Sequence, residues 1–335
     1  MTVTTTRRVV RSGDAPGGRA PVVPWPVLPY ALVLIGIVAL YFGGDVLVTH
    51  ASRLARSLGI SPMVVGLTVV ADGTSAPELA ATLAAAFRGA PELALANVTG
   101  SNIANVGLIL GATAIFYPLA TDWSFLRREV PWLLGVTLLA IPLVYDGALG
   151  RLEGVALFTV LVVFLVVMFR QGGTPGGGVV DADRPSTPVW RSLLWVAGGV
   201  VVLAVGAQAL VAGATTLALA WGVPERVIGL TLVAVGTSLP ELASSLVAAL
   251  KRETDIILGN VVGSNLFNLL AVLGTAALVH PIAAPTAGLR FDLWVMLAFA
   301  LAVVPLVLWR GPRLGRKRGG FLLVAYVIYV ATLFV

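Results

Sequence analysis

The chain contains no cysteine, two histidines, and only 11% charged residues in its 335. Without cysteine there is no disulfide, thiolate metal site or cysteine nucleophile. His50 and His280 both sit at the ends of apolar runs, so a buried reaction centre has no imidazole to draw on. The shortage of charge says more. Soluble domains carry about 25% charged residues to cover their surface. Here 58% of residues are apolar and the mean hydropathy is +0.96, so the solvent for most of this surface is lipid.

The net charge of +6 does not mark a nucleic-acid binder, because the basic residues lie in short gaps between apolar runs with no interleaved aromatics. They read as topology signals. Apolar stretches of the roughly 20 residues needed to cross a bilayer fall near 27–49, 61–87, 92–118, 130–147, 152–170, 192–220, 224–250, 255–281, 291–310 and 320–335. Residues 1–26 are polar, with Thr, Arg, Gly and Pro, and read as a disordered tail. Arg7-Arg8 before an apolar run resembles a targeting signal, but the run is long and no Ala-x-Ala site follows. Residues 171–191 are Gly- and Pro-rich and read as a flexible linker between two halves, 27–170 and 192–335. On this plan 14 Lys and Arg residues, including the cluster at 310–318, share the linker's side. The other side has Arg88, Arg151, Arg226, Arg290 and the tail's four arginines. The positive-inside rule then places the linker in the cytoplasm and both termini outside.

The two halves are related. Residues 66–111 align without a gap to 229–274 at a constant offset of 163, with 24 of 46 positions identical. Shared hydrophobicity would match leucines. It would not match Gly-Thr-Ser-x-Pro-Glu and Gly-Ser-Asn-x-x-Asn at equal spacing. With five spans per copy, the second copy enters the membrane inverted, and interrupted helices at corresponding positions of inverted repeats mark a midplane binding site. The expected fold is therefore all-α and membrane-embedded: ten transmembrane helices in two inverted five-helix repeats, the second and seventh broken.

Glu78 and Glu241 lie mid-span, where a charge costs roughly 2.5–3.5 kcal/mol on insertion scales and is usually functional. Pro77 and Pro240 have no N–H for the carbonyls of Gly73 and Gly236. Each span should break at Gly-Thr-Ser and free the carbonyls near Ala71, Thr74, Ala234 and Thr237. Ser75-Ala76-Pro77-Glu78 and Ser238-Leu239-Pro240-Glu241 also have the form of a capping box, so the glutamates are either caps or ion ligands. A Gln would cap as well in hydrocarbon, which favours ligands. Along the next helix run Asn97, Ser101 and Asn105, repeated as Asn260, Ser264 and Asn268. Asn97 and Asn260 read as interhelical hydrogen-bonding groups; Ser101, Asn105, Ser264 and Asn268 lie deeper, toward the site. These donors are all oxygen, which suits hard cations, and Ca2+ takes 6–8 such ligands. One Ca2+, two monovalent ions or two protons would each neutralise the two carboxylates. An empty, doubly charged site resists crossing a low-dielectric barrier, and that penalty is a physical basis for exchange.

At these residues the chain resembles the cation/Ca2+ exchanger superfamily, in particular its prokaryotic Na+/Ca2+ exchanger branch, whose two alpha-repeats carry paired segments of this kind. The resemblance implies a plasma-membrane antiporter working by alternating access, the first and sixth spans sliding on an eight-helix core. It implies that Glu78, Glu241 and the Thr74 and Thr237 carbonyls hold Ca2+. Ala71, Ser75, Ser101, Ala234, Ser238 and Ser264 would complete flanking monovalent sites, with Asn105 and Asn268 lining the centre. Such exchangers commonly have Asp where this chain has Asn268, which leaves the stoichiometry and driving ion open. Asp72 faces Val235 in the alignment and is either a solvated cavity residue or a proton or cation site. The chain lacks the Gly-Asn-Ala-x-x-Glu type of segment found in Ca2+/H+ exchangers, which favours Na+ as counter-ion over H+ or K+. Substrates apart, no cofactor, nucleic acid or obligate protein partner is implied. Two other classes are an intramembrane enzyme using Ser75 or Ser238, for which no His or Lys base is near, and a passive channel.

Overall fold

The computed structural model describes residues 27–121, 123–145, 149–171, 188–224, 228, 234–282, 287–308 and 313–334. The tail 1–26 and most of the expected linker lie outside them, although helices reach Gln171 on one side of the linker and start at Val189 on the other.

Lipid offers the backbone no hydrogen bonds, so apolar runs satisfy theirs internally as helices. In chain order these are α1 (Val27–Leu58), α2 (Pro62–Thr74), α3 (Ala76–Phe87), α4 (Pro91–Phe116), α5 (Trp123–Tyr145), α6 (Arg151–Gln171) and α7 (Val189–Ala220). A single turn at Ala234–Gly236 follows, then α8 (Leu239–Leu250), α9 (Thr254–Val279), α10 (Ala287–Leu308) and α11 (Arg316–Thr332). Among the described residues six helices are long and apolar enough to cross a bilayer unaided; α2, α3 and α8 are shorter apolar helices. The second apolar stretch is indeed divided, α2 ending at Thr74 and α3 starting at Ala76. π-helical segments, which the hydrophobic pattern does not signal, occupy Gly66–Val70, Asn105–Leu110 and Asn268–Val272.

The centre of the molecule is α9 and α4, whose apolar windows are 94% and 72% buried, against 33% for α1 and 28% for α6 and α7. Outer helices present large apolar side chains such as Leu34, Phe158 and Trp195 to the surroundings. Small residues let backbones approach closely, as usual in membranes. A Cβ on Gly36 of α1 would lie 2.6 Å from the Leu210 nitrogen of α7, and one on Gly263 of α9 would collide with the Leu67 carbonyl of α2. Two short pairings tie the halves together. β1 (Leu119–Ala120) runs antiparallel to β2 (Arg313–Leu314), and Leu149 bridges to Ile282.

The duplication extends to backbone torsions. Gly59 and Gly222 have φ of +67° and +76°. Gly89 has φ +68°, and its repeat equivalent, Arg252, has φ +62°. The left-handed turn was kept where glycine was not, and a non-glycine residue there costs roughly 1–2 kcal/mol. Arg252→Gly is expected to raise unfolding stability in detergent by up to about 1 kcal/mol. Gly263→Val should instead lose folded protein, since the facing backbone cannot move aside; overpacking of this kind costs about 1–3 kcal/mol or more. Thermal unfolding of purified protein checks both.

Candidate ion-binding site

The broken span places Ser75 at the N-terminus of α3 and Ser238 at that of α8, with backbone torsions φ −83°, ψ 8° and φ −88°, ψ 7°. Each is three residues before a glutamate that sits in the first turn. In a capping box each serine would bond its own helix. Neither does. Ser75 Oγ donates to Glu241 Oε1 at 2.8 Å, and Ser238 Oγ donates to Glu78 Oε1 at 3.0 Å. The two half-helices thus meet N-terminus to N-terminus, and each holds the other's carboxylate. The orientation is favourable for anions, because helix N-termini carry positive partial charge.

Both glutamates are 1% exposed. One oxygen of each is bound by serine; the other, Oε2 in both cases, has no hydrogen-bond partner among the described residues. An unsatisfied buried polar atom costs about 1–3 kcal/mol, more when charged. The same condition holds for Ser264 Oγ, Asn268 Oδ1, Thr237 Oγ1 and both polar atoms of the Asn105 amide. α3, headed by Glu78, packs on the π segment that Asn268 opens, and α8, headed by Glu241, packs on the one that Asn105 opens. Oxygen atoms without partners, two of them on carboxylates, therefore belong to elements packed crosswise on one another. A hard cation fits this oxygen donor set.

The remaining predicted residues divide. Asn97 Nδ2 donates to Thr82 Oγ1 (2.9 Å) and to the Glu78 carbonyl (3.3 Å). Its equivalent Asn260 donates to Ser245 Oγ at 3.1 Å and Ser244 Oγ at 3.3 Å. Both bind neighbouring helices, as expected. Asn260 also accepts from Thr74 Oγ1 at 3.2 Å, so the Thr74 hydroxyl is used in packing while its carbonyl remains the candidate ligand. The Ala71 carbonyl is not freed by the break. It accepts the Ser75 N–H at 3.0 Å, a donor that precedes Pro77, whose missing N–H concerns the Gly73 carbonyl instead. Ser101 is buried. Asp72 is half-buried in the last turn of α2. The Ala234 side chain lies outside the described residues.

Asn102 and Asn265 were missed as a working pair. Asn102 Oδ1 accepts from Asn268 Nδ2 at 3.1 Å, while Asn102 Nδ2 donates to the Asn265 carbonyl at 3.3 Å. This orients the Asn268 amide so that its oxygen is the free end. Their position beside Ser101 and Ser264 in both copies of Gly-Ser-Asn was the available signal.

Comparison with known proteins agrees with this geometry. A family model described as sodium/calcium exchanger protein matches residues 28–170 and 191–335. The putative antiporter CaxA of Alkalimonas amylolytica is 42% identical over 310 residues, 90% of this chain and 97% of that protein. The sodium/calcium exchanger MaX1 of Methanosarcina acetivorans is 31% identical over 344 residues, 91% of this chain and 98% of that one. Among solved structures, the sodium-calcium exchanger NCX_Mj matches with a TM-score of 0.81 and 33% identity, over 92% of this chain and 99% of that one. The structure puts a carboxylate within hydrogen-bonding reach of Ser75 and of Ser238, but these relatives are antiporters and exchangers, not enzymes. An integral membrane protein with this duplicated, carboxylate-centred core belongs to the sodium/calcium exchanger family.

Proposed function

We propose that the chain is a secondary-active antiporter that exchanges Ca2+ for Na+ by alternating access, with ten spans arranged as two inverted five-helix repeats. The observation that carries this is the reciprocal pair: each buried glutamate accepts a hydrogen bond from the serine of the opposite copy and keeps one carboxylate oxygen unpartnered among the described residues. The reading is supported by the chain's family and by the name of its relative MaX1, a sodium/calcium exchanger.

In this reading Glu78 and Glu241 bind Ca2+ with the carbonyls of Thr74 and Thr237. Ser75, Ser101, Ser238 and Ser264, with the Ala234 carbonyl and the second lone pair of the helix-bonded Ala71 carbonyl, serve flanking Na+ sites; Asn105 and Asn268 line the centre. Two carboxylates carry two negative charges, matched by one Ca2+ or two Na+. With neither bound, the site keeps its full charge, and the conformational change that carries it across low dielectric is blocked. Return therefore requires a counter-ion. With the linker cytoplasmic, α3 lies in the outer half of the membrane and α8 in the inner half.

Three outcomes are expected in proteoliposomes. Glu78→Gln or Glu241→Gln abolishes Ca2+ uptake, at least about a hundredfold, with folded protein unchanged by size exclusion; equal loss of folded protein would show the carboxylates to be structural. Imposed one at a time, an outward Na+ gradient drives Ca2+ uptake while K+ and pH gradients do not, and uptake driven by pH alone would replace Na+ with H+. Ca2+ flux with no counter-ion would make the protein a channel. Finally, Asn268→Asp adds a third carboxylate and is expected to change the Na+ dependence of uptake; an identical profile would remove this position from the site.

A further inference from the structure

An internally duplicated fold provides its own reference, because a feature found in one copy and missing at the same register of the other is not required by the fold. In the second copy, α1 covers α8. A Cβ on Gly44 would lie 3.1 Å from Val247 Cγ2 and 3.4 Å from the Ala243 carbonyl. At the end of α8 the Lys251 ammonium reaches back to α1, 2.8 Å from Asp45 Oδ1. It also donates to the Asp45 carbonyl at 3.4 Å and to the Thr49 hydroxyl.

The matching surface of the first copy is the face of α3 formed by Ala76, Ala80 and Ala84, which stand where Leu239, Ala243 and Val247 stand. All three alanines are exposed. Leu239 and Ala243 are half-buried and Val247 is 5% exposed. By the same register α7 is the helix that would cover α3, and the two make little contact among the described residues. The local chemistry differs too. Arg88 preserves the cation of Lys251, but Asp45 has become Gln208 and Thr49 has become Ala212. One face is closed and carries an ion pair; the other is open, and its cation lacks an acidic counterpart at that register.

We infer that Asp45, Thr49 and Lys251 form a one-sided latch that holds α1 on α8 and biases the protein toward the conformer in which the α3 face is open. They position the moving helix and touch no transported ion. Lys251 and Asp45 side chains are 31% and 42% exposed, so water screens the pair and its effect on the ratio of conformers is about two- to fivefold. That size suits a bias. A much stronger contact would trap one conformer, whereas exchange needs both populated in turn. The inference rests on the antiporter reading, in which α1 and α7 move relative to the remaining helices.

The cysteine-free sequence permits a direct test on the full-length protein. Ala80→Cys and Ala243→Cys are introduced separately, and the rate of alkylation by a small maleimide is measured in proteoliposomes. In Lys251→Gln and Asp45→Asn backgrounds the thiol at 243 should react faster and the thiol at 80 slower, so that the ratio of the two rates changes about two- to fivefold. The charge swap Asp45→Lys with Lys251→Asp should restore both rates. Gln208→Asp, which sets a carboxylate opposite Arg88, should move both in the other direction. Unchanged rates at both positions in the two single variants would overturn the latch. So would faster reaction at 243 without slowing at 80, which indicates local loosening. Alkylation requires no ion flux, so this inference and the Ca2+/Na+ assignment fail on different measurements.

Discussion

Two carboxylates buried in a membrane protein, each bound by a serine from the other half, are the constraint around which the structure is organised. Neither glutamate can be satisfied within its own repeat. Ser75 and Glu78 share a helical turn, yet the serine hydroxyl goes to Glu241; Ser238 goes to Glu78 in return. The halves are therefore interdependent at their most expensive point. The half-helices must end facing each other for this to happen, and a proline two residues after the break makes that ending local and reproducible. Helix N-termini aimed at the carboxylates then lower the cost of holding negative charge where solvent cannot.

The rest of the molecule serves that meeting point. α4 and α9 occupy the middle of the bundle, where they are the most completely buried helices. Glycines at positions 66, 259 and 263 bring α2 and α9 into backbone contact. Asn97 and Asn260 fix the half-helices from the side, spending their amides on Thr82, Ser244 and Ser245. Asn102 fixes Asn268 by the same means. Left unbonded on these packed elements, among the described residues, are oxygen atoms on Glu78, Glu241, Thr237, Ser264, Asn105 and Asn268. The proposed cation would complete such a set, and an exchanger must bind its ion without making it permanent. Around this core the duplicated frame is not perfectly symmetric, since α8 is covered by α1 while the matching face of α3 is open.

The amino-acid sequence by itself determined the solvent, the duplication, the position of the breaks and the identity of the central residues. Each follows from local chemistry: too little charge for water, Gly-Thr-Ser-x-Pro-Glu repeated at one offset, prolines without donors, and acids where hydrocarbon penalises them. Tertiary structure alone decided where the hydrogen bonds go. The motif Ser-x-x-Glu reads equally as a cap or as a ligand, because both uses need the same residues at the same spacing; only the approach of the second copy sends Ser75 to Glu241. The Ala71 carbonyl stayed in its helix because its backbone donor four residues on, the Ser75 N–H, lies before the proline. The π segments at Asn105 and Asn268, the pairing of Asn102 with Asn268, and the salt bridge from Lys251 to Asp45 were likewise beyond reach. The pairing and the salt bridge depend on contacts between segments distant in the chain, and no spacing within one helix encodes which residue of another helix will lie opposite.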